Sequence, residues 1–259
     1  MSREGEVLRP NPVPGLLRAC ALNLRAGETG VRLFEIGTHF LAGGGELPEE
    51  SPMLGAIVCG PRYRHAHDVT QQEVDFDDAK GLWEAWLAEL RVDTPEWRAY
   101  AGEGWKPGVS AEVVSGTSQM GWAGTLSPAL LRIWDIEATV HLFVALLDPL
   151  SRGTVARTGV KLPGRFPPVR RDLAFFLPQG TTHGQVERVL IEAAGERLAS
   201  IELFDVYAGP GTLQGMRSLA FALQFQHPER TLTESEVQAI QNRMVDAVAK
   251  QCGGRLRER

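Results

Sequence analysis

Two short runs near the end of the chain carry the residues best suited to chemistry. Asp205 and Tyr207 stand two apart at the close of Leu198–Tyr207, so on an extended strand both side chains leave the same face. A phenol ring stacks on a planar heterocycle, and a carboxylate accepts hydrogen bonds from a guanine Watson–Crick edge. Tyr207 is the only tyrosine after residue 150. The run Arg217–Gln226 alternates: Leu219, Phe221, Leu223 and Phe225 face one way, and Ser218, Ala220, Ala222, Gln224 and Gln226 the other. The second set forms a small, polar face on which a flat group can lie close to the backbone. Ala174 shares parity with Arg170 and Asp172 and joins that face from the run Arg170–Leu177. Arg170 and Arg171 are candidate phosphate contacts. A plainer alternative fits the same pattern, in which the small residues only avoid an apolar patch and Tyr207 packs against the turn that follows it.

Other candidate chemistry is weaker. His65, His67 and Asp68 resemble a metal site but lie in a polar loop with no third ligand at a fixed spacing. Asp75, Asp77 and Asp78 are acids at a helix start, where the helix dipole favours them. His227, in HPER, has no nucleophile or carboxylate partner nearby in sequence and suits a turn. No metal site and no catalytic residue is assigned. Cys20, Cys59 and Cys252 are odd in number, widely spaced and outside any CxxC pattern. They read as small buried hydrophobes in a reducing cytoplasm. No nucleophile elbow, P-loop or dinucleotide-binding glycine motif occurs.

The elements that position these residues follow from periodicity and caps. In the second half Arg170–Leu177, Leu198–Tyr207 and Arg217–Gln226 are strands, with Arg255–Arg257 a short last one. Thr182–Ala194 and Thr233–Gln251 are helices opened by capping boxes, Thr182 with Gln185 and Thr233 with Glu236. Gly195 and Gly253 stop them. The order βαββαβ is ferredoxin-like, with both helices on one sheet face and the other face open. In the first half, helices are expected over Gly15–Ala26, Asp75–Leu90 (through Ala79, Trp83, Trp86 and Leu90) and Pro128–Ile133. Strands are expected over Val31–Leu41, Pro52–Gly60, Val109–Ser115, Gln119–Leu126 and Thr139–Asp148. Crossover helices are mostly missing, which makes this half α+β with a mainly antiparallel sheet. All six tryptophans fall in it and suit a core or a subunit interface.

Composition agrees with a folded chain: 43% hydrophobic and 23% charged residues exclude disorder for most of it. No apolar run approaches the roughly 18 residues of a membrane span, and the N-terminus lacks the apolar core of a secretory signal. The net charge of −5 divides unevenly, −9 over residues 1–150 and +4 over 151–259. The basic part is the candidate partner of a polyanion. Residues 151–165, with glycine, proline and basic residues and no apolar period, read as a linker between a domain at 1–150 and one at 166–259.

Three runs, FPPVRRDLAFFL (Phe166–Leu177), SIELFDVYAGPG (Ser200–Gly211) and RSLAFALQFQHPERTLTESEV (Arg217–Val237), resemble the anticodon-binding domain of the phenylalanyl-tRNA synthetase beta subunit. PGLLRACALNLRAG (Pro14–Gly27), VRLFEIGTHF (Val31–Phe40), VDFDDAKG (Val74–Gly81), KPGVSAEV (Lys106–Val113) and GWAGTLSP (Gly121–Pro128) look like that subunit's class II synthetase-like domain. The resemblance implies that Ala174, Asp205, Tyr207 and Ser218 hold the first anticodon base. It implies a noncatalytic class II-like domain that docks a catalytic alpha subunit in an (αβ)2 heterotetramer, through helices such as Pro14–Ala26. The partners implied are phenylalanine tRNA and the alpha chain, with no membrane and no DNA. ATP and Mg²⁺ belong to the whole enzyme, and this chain binds no cofactor. The arginine-bearing Gly-rich motif of an active class II site is missing, so Arg32 and Glu35 read as core-edge and ion-pair residues. Lys106 stands where the family usually has histidine, and NPVPGLL replaces its SLLPGLL. The oligonucleotide-fold, editing and winged-helix-like modules of a complete bacterial subunit do not fit in 259 residues. The expectation is therefore a C-terminal portion without editing. The competing expectation is a stand-alone ferredoxin-like protein that senses an amino acid.

Overall fold

A computed structural model describes residues 7–43, 47–63, 67, 70–90, 92, 95–152, 166–210, 212 and 214–257. They fall into two units, one within Met1–Thr158 and one within Gly159–Arg259. The expected linker lies, from residue 153 on, outside the described residues, and Ser151 and Arg152 end a helix instead. No helix among the described residues is long and apolar enough to cross a membrane.

The first unit runs α1 (Val13–Arg25), β1 (Val31–Leu41), β2 (Glu49–Cys59), α2 (Phe76–Glu89), β3 (Glu96–Ala99), β4 (Trp105–Ser115), β5 (Ser118–Leu126), α3 (Pro128–Ile133), β6 (Val140–Leu146) and α4 (Leu147–Arg152). Its six strands form one sheet in the order β1-β2-β6-β5-β4-β3, every neighbour antiparallel. Helix α1 starts two residues earlier than expected, because Pro14 fits the first turn, where no amide hydrogen is needed, and Asn11 accepts from the Val13 amide. Leu16, Leu17, Cys20 and Ala21 of α1 pack with Ile57, Leu142 and Val144 on one sheet face. Helix α2 packs with Leu54, Phe143 and Ala145 on the other. The buried positions of α2 are Ala79, Trp83 and Leu87. Leu90, expected in that stripe, caps the helix in solvent. Around Trp83, which is fully buried, Trp86, Trp97 and Phe143 meet edge-on with ring centroids 5.2–6.4 Å apart. Both faces of the sheet centre are thus occupied.

The second unit runs β7 (Val169–Pro178), α5 (His183–Ala194), a single 3-10 turn, β8 (Leu198–Tyr207), β9 (Met216–Phe225), α6 (Glu234–Cys252) and β10 (Arg255–Leu256). The sheet order is β10-β7-β9-β8, all antiparallel, which is the ferredoxin-like arrangement expected. Both capping boxes form: Gln185 returns to the Thr182 amide at 2.9 Å and Glu236 to the Thr233 amide at 2.9 Å. Gly253, at φ 63°, supplies the left-handed stop of α6. Phe175, Phe221, Leu223 and Phe225 point to α5 and α6 and join Val186, Leu190, Val237, Ile240, Met244 and Val248 in one core. The helices take one face of this sheet only.

Candidate nucleic-acid interface

The face of the second sheet turned away from the helices is ordered by register. Ala220 on β9 stands opposite Ala174 on β7 and Asp205 on β8. One step along, Ser218 stands opposite Phe176 and Tyr207. Four of the six expected residues, Ala174, Asp205, Tyr207 and Ser218, therefore meet in two adjacent rows across three strands. Neighbouring strands are about 4.8 Å apart, so the patch has the width of a nucleobase.

A β-bulge brings Asp205 there. Leu203 pairs with Phe221 on the helix side, yet Asp205 pairs with the next residue, Ala220. Phe204 is the extra residue, and it is exposed. Without the bulge, strict alternation would carry Asp205 and Tyr207 to the opposite face from Glu202. One inserted residue thus aims both side chains at the platform.

The rings and polar atoms are held by short contacts. The Tyr207 hydroxyl donates to the Pro210 carbonyl at 2.9 Å, and the residue is 41% exposed. The ring lies over Gly209, where an added Cβ would sit 2.7 Å from the phenol oxygen. Part of the plainer alternative is therefore real, since the tyrosine does lean on its turn, but an open ring surface remains. Asp205 is exposed. Ser218, in contrast, is fully buried and accepts from Arg257 Nη1 at 3.1 Å, while the Arg257 amide donates to the Ala174 carbonyl at 2.7 Å. The floor of the platform is covered by an arginine from the chain's own tail, so it is less open than the alternation of β9 suggested. Arg257 is the residue that sequence reasoning missed here. Its signal was the final strand, which had to pair beside β7 for the sheet to close.

The two expected arginines part company. Arg170 is exposed on the platform face, opposite Gln224, four residues and about 13 Å along β7 from Ala174. Arg171 has the opposite parity, pairs with Glu234 at the start of α6 and bonds the Arg170 carbonyl at 2.8 Å. It does not stand with the other five.

Elsewhere the candidate groups have structural duties. His65 and Asp68 lie outside the described residues, and His67 is exposed. Asp75 caps α2 by accepting from the Asp77 and Asp78 amides, and Arg62 bonds both Asp75 and Asp78 at 2.8–3.0 Å. Burial opposes the charge on Asp78, but the Asp75 amide and the Arg62 guanidinium outweigh it and hold the carboxyl below its usual range. His227 Nδ1 accepts from the Glu229 amide at 3.0 Å, a turn contact. Arg32 donates to the Pro61 and Arg62 carbonyls at 2.8 and 2.9 Å, and Glu35 pairs with Arg9. Both are engaged within the protein, so they do not fit a nucleotide phosphate or Mg²⁺. Among the described residues no group of three His, Cys, Asp or Glu side chains could hold a metal ion.

Comparison with known proteins covers both units. A family model described as Phenylalanyl tRNA synthetase beta chain CLM domain matches residues 1–147, and one described as Ferredoxin-fold anticodon binding domain matches residues 164–257. Similar curated proteins include the phenylalanine–tRNA ligase beta subunits of Bacillus thuringiensis subsp. konkukian (34% identity), Moorella thermoacetica (35%) and Xylella fastidiosa (35%). The alignments take in 100%, 100% and 99% of this chain but 32% of each relative. The chain spans about a third of the length of the curated relatives it matches.

Proposed function

This chain belongs to the phenylalanyl-tRNA synthetase beta-chain family, and from that premise we propose that it is a noncatalytic, anticodon-binding part of phenylalanine–tRNA ligase. In this role it binds phenylalanine tRNA through the second unit and joins the catalytic alpha subunit through the first, in an (αβ)2 heterotetramer in the cytoplasm. ATP and Mg²⁺ act in the alpha chain, where phenylalanine is activated and transferred. Edge strand β1 supports the assembly role: Phe34 is 73% and Ile36 60% exposed on the last strand of the sheet.

The observation that carries the tRNA role is the convergence of Ala174, Asp205, Tyr207 and Ser218 on one face through the bulge at Phe204. On that platform Tyr207 stacks on the first anticodon base, Asp205 accepts from its Watson–Crick edge, and the two alanines let the base approach the backbone. Ser218 takes part once Arg257 moves off its hydroxyl, and the displaced guanidinium and Arg170 face the phosphates. The stand-alone amino-acid sensor is not favoured, because ligase beta subunits match along the whole chain.

The test is a titration of the purified chain with phenylalanine tRNA and with an anticodon-substituted version at two salt concentrations. The expected result is tighter binding to the natural anticodon, affinity that falls steeply with salt, and a loss of about 1–3 kcal/mol in Tyr207→Ala. Equal affinity for both tRNAs would overturn the proposal.

A further inference from the structure

A second aromatic stands on the platform and has no part in that scheme. Phe175 points into the core and is fully buried, so its neighbour Phe176 must leave the opposite face, where it is half-buried. Its partner across β9 is Ser218 and across β10 is Arg255, so Arg255, Phe176, Ser218 and Tyr207 form one row over four strands. The core does not need this ring, since the packing against the helices comes from Leu173, Phe175 and Leu177. Phe176 and Tyr207 are two strands apart, or about 10 Å. Tyr207 cannot lean across that gap, because its hydroxyl is bound to Pro210 and its ring rests on Gly209. A base stacked on Tyr207, pinned as that ring is to its turn, leaves the Phe176 ring free for a second base. Arg255 is exposed beside Phe176, and Arg257 follows it on the same side.

We infer that Phe176 and Arg255 form a second nucleobase subsite. The ring stacks on the nucleotide next to the one held at Tyr207, and the guanidinium takes its phosphate. The platform then grips two successive unstacked nucleotides, a stronger device than one tyrosine alone. This inference rests on the anticodon-binding role proposed above.

The experiment uses the full chain and an anticodon stem-loop of phenylalanine tRNA, with 2-aminopurine placed at one loop position at a time. Stacking quenches its fluorescence. The expected result is quenching at two adjacent positions. Phe176→Leu should abolish it at one of them and weaken binding about five- to tenfold, while Phe176→Trp retains both. Tyr207→Ala should abolish the other. If Phe176→Leu leaves quenching and affinity within twofold of the parent while Tyr207→Ala weakens binding, the second subsite is wrong and the anticodon role stands. If the stem-loop fails to bind the parent chain, both fall together.

Discussion

In the first unit the large aromatics are inside. Trp83 is fully buried among Trp86, Trp97 and Phe143, and helices α1 and α2 occupy opposite faces of the sheet. In the second unit no tryptophan occurs, α5 and α6 share one face, and the other face carries Ala174, Ala220 and Ser218 between two rings. Both sheets bury a core of similar kind. What separates them is how they are enclosed: helices take both faces at the centre of the first sheet, whereas in the second they take one face and Arg257 lies over Ser218 on the other. In the role proposed above, the first sheet meets another protein and the second an unstacked nucleotide.

Truncating each core tests this contrast hardest. Trp83→Ala and Phe221→Ala each remove a fully buried ring, at an expected cost of about 3–5 kcal/mol in denaturant unfolding. Only Phe221→Ala should also abolish tRNA binding, because Phe221 backs the strand that carries Ala220 and Ser218. If Trp83→Ala removes binding equally, the assignment of RNA contact to one unit fails.

A milder change probes how the platform is held up. Thr233 caps α6, and α6 covers the back of β7 and β9. Thr233→Ala should lower the stability of the second unit by about 0.5–2 kcal/mol, measured by hydrogen exchange in β7 and β9. Tryptophan fluorescence, which arises wholly within the first unit, is the control that should not report it.

Local chemistry made much of this legible. Capping boxes, glycine stops and the alternation of β9 are written in neighbouring residues, and Thr182, Thr233, Gly253 and Phe221 take the expected places. What escaped depends on partners distant in sequence. The bulge at Phe204 exists only relative to β9. Arg257 reaches Ser218 only because β10 pairs beside β7. Strand β3 is four residues long and among the described residues pairs with β4 alone, and the alternation of EWRA is too short to announce a strand. Helix α2 drew Leu90 into its expected stripe because i+4 and i+7 are both helical spacings; the packing selects Leu87. Parity within one strand placed Asp205 beside Tyr207, but which residues of β7, β8 and β9 stand in one row was not legible, since register is a property of pairs of strands.

Acid separates the two units more gently than mutation. In the first unit His141 donates through Nε2 to the Val74 carbonyl and accepts from the Thr125 hydroxyl at Nδ1, both at 3.0 Å, an arrangement that suits neutral imidazole. Burial lowers its pKa against the opposing pull of the Val74 carbonyl, Asp75 and Asp78. His39, fully buried, is lowered by burial and by Arg9. Both folded-state values lie below that of the unfolded chain, about 6.5. The unfolded state therefore binds more protons in this range, and stability falls as pH drops below about 6.5. In the second unit the large shift belongs to Glu236, held below the carboxylate range first by Arg230 and then by Thr233. Its contribution is complete above about pH 4.3 and is lost only in stronger acid. Between pH 6.5 and 4.5 the tryptophan-monitored unfolding midpoint should move to lower denaturant, while exchange protection in β7 and β9 holds. His141→Gln should flatten the first trend, and equal loss in both units would erase the distinction.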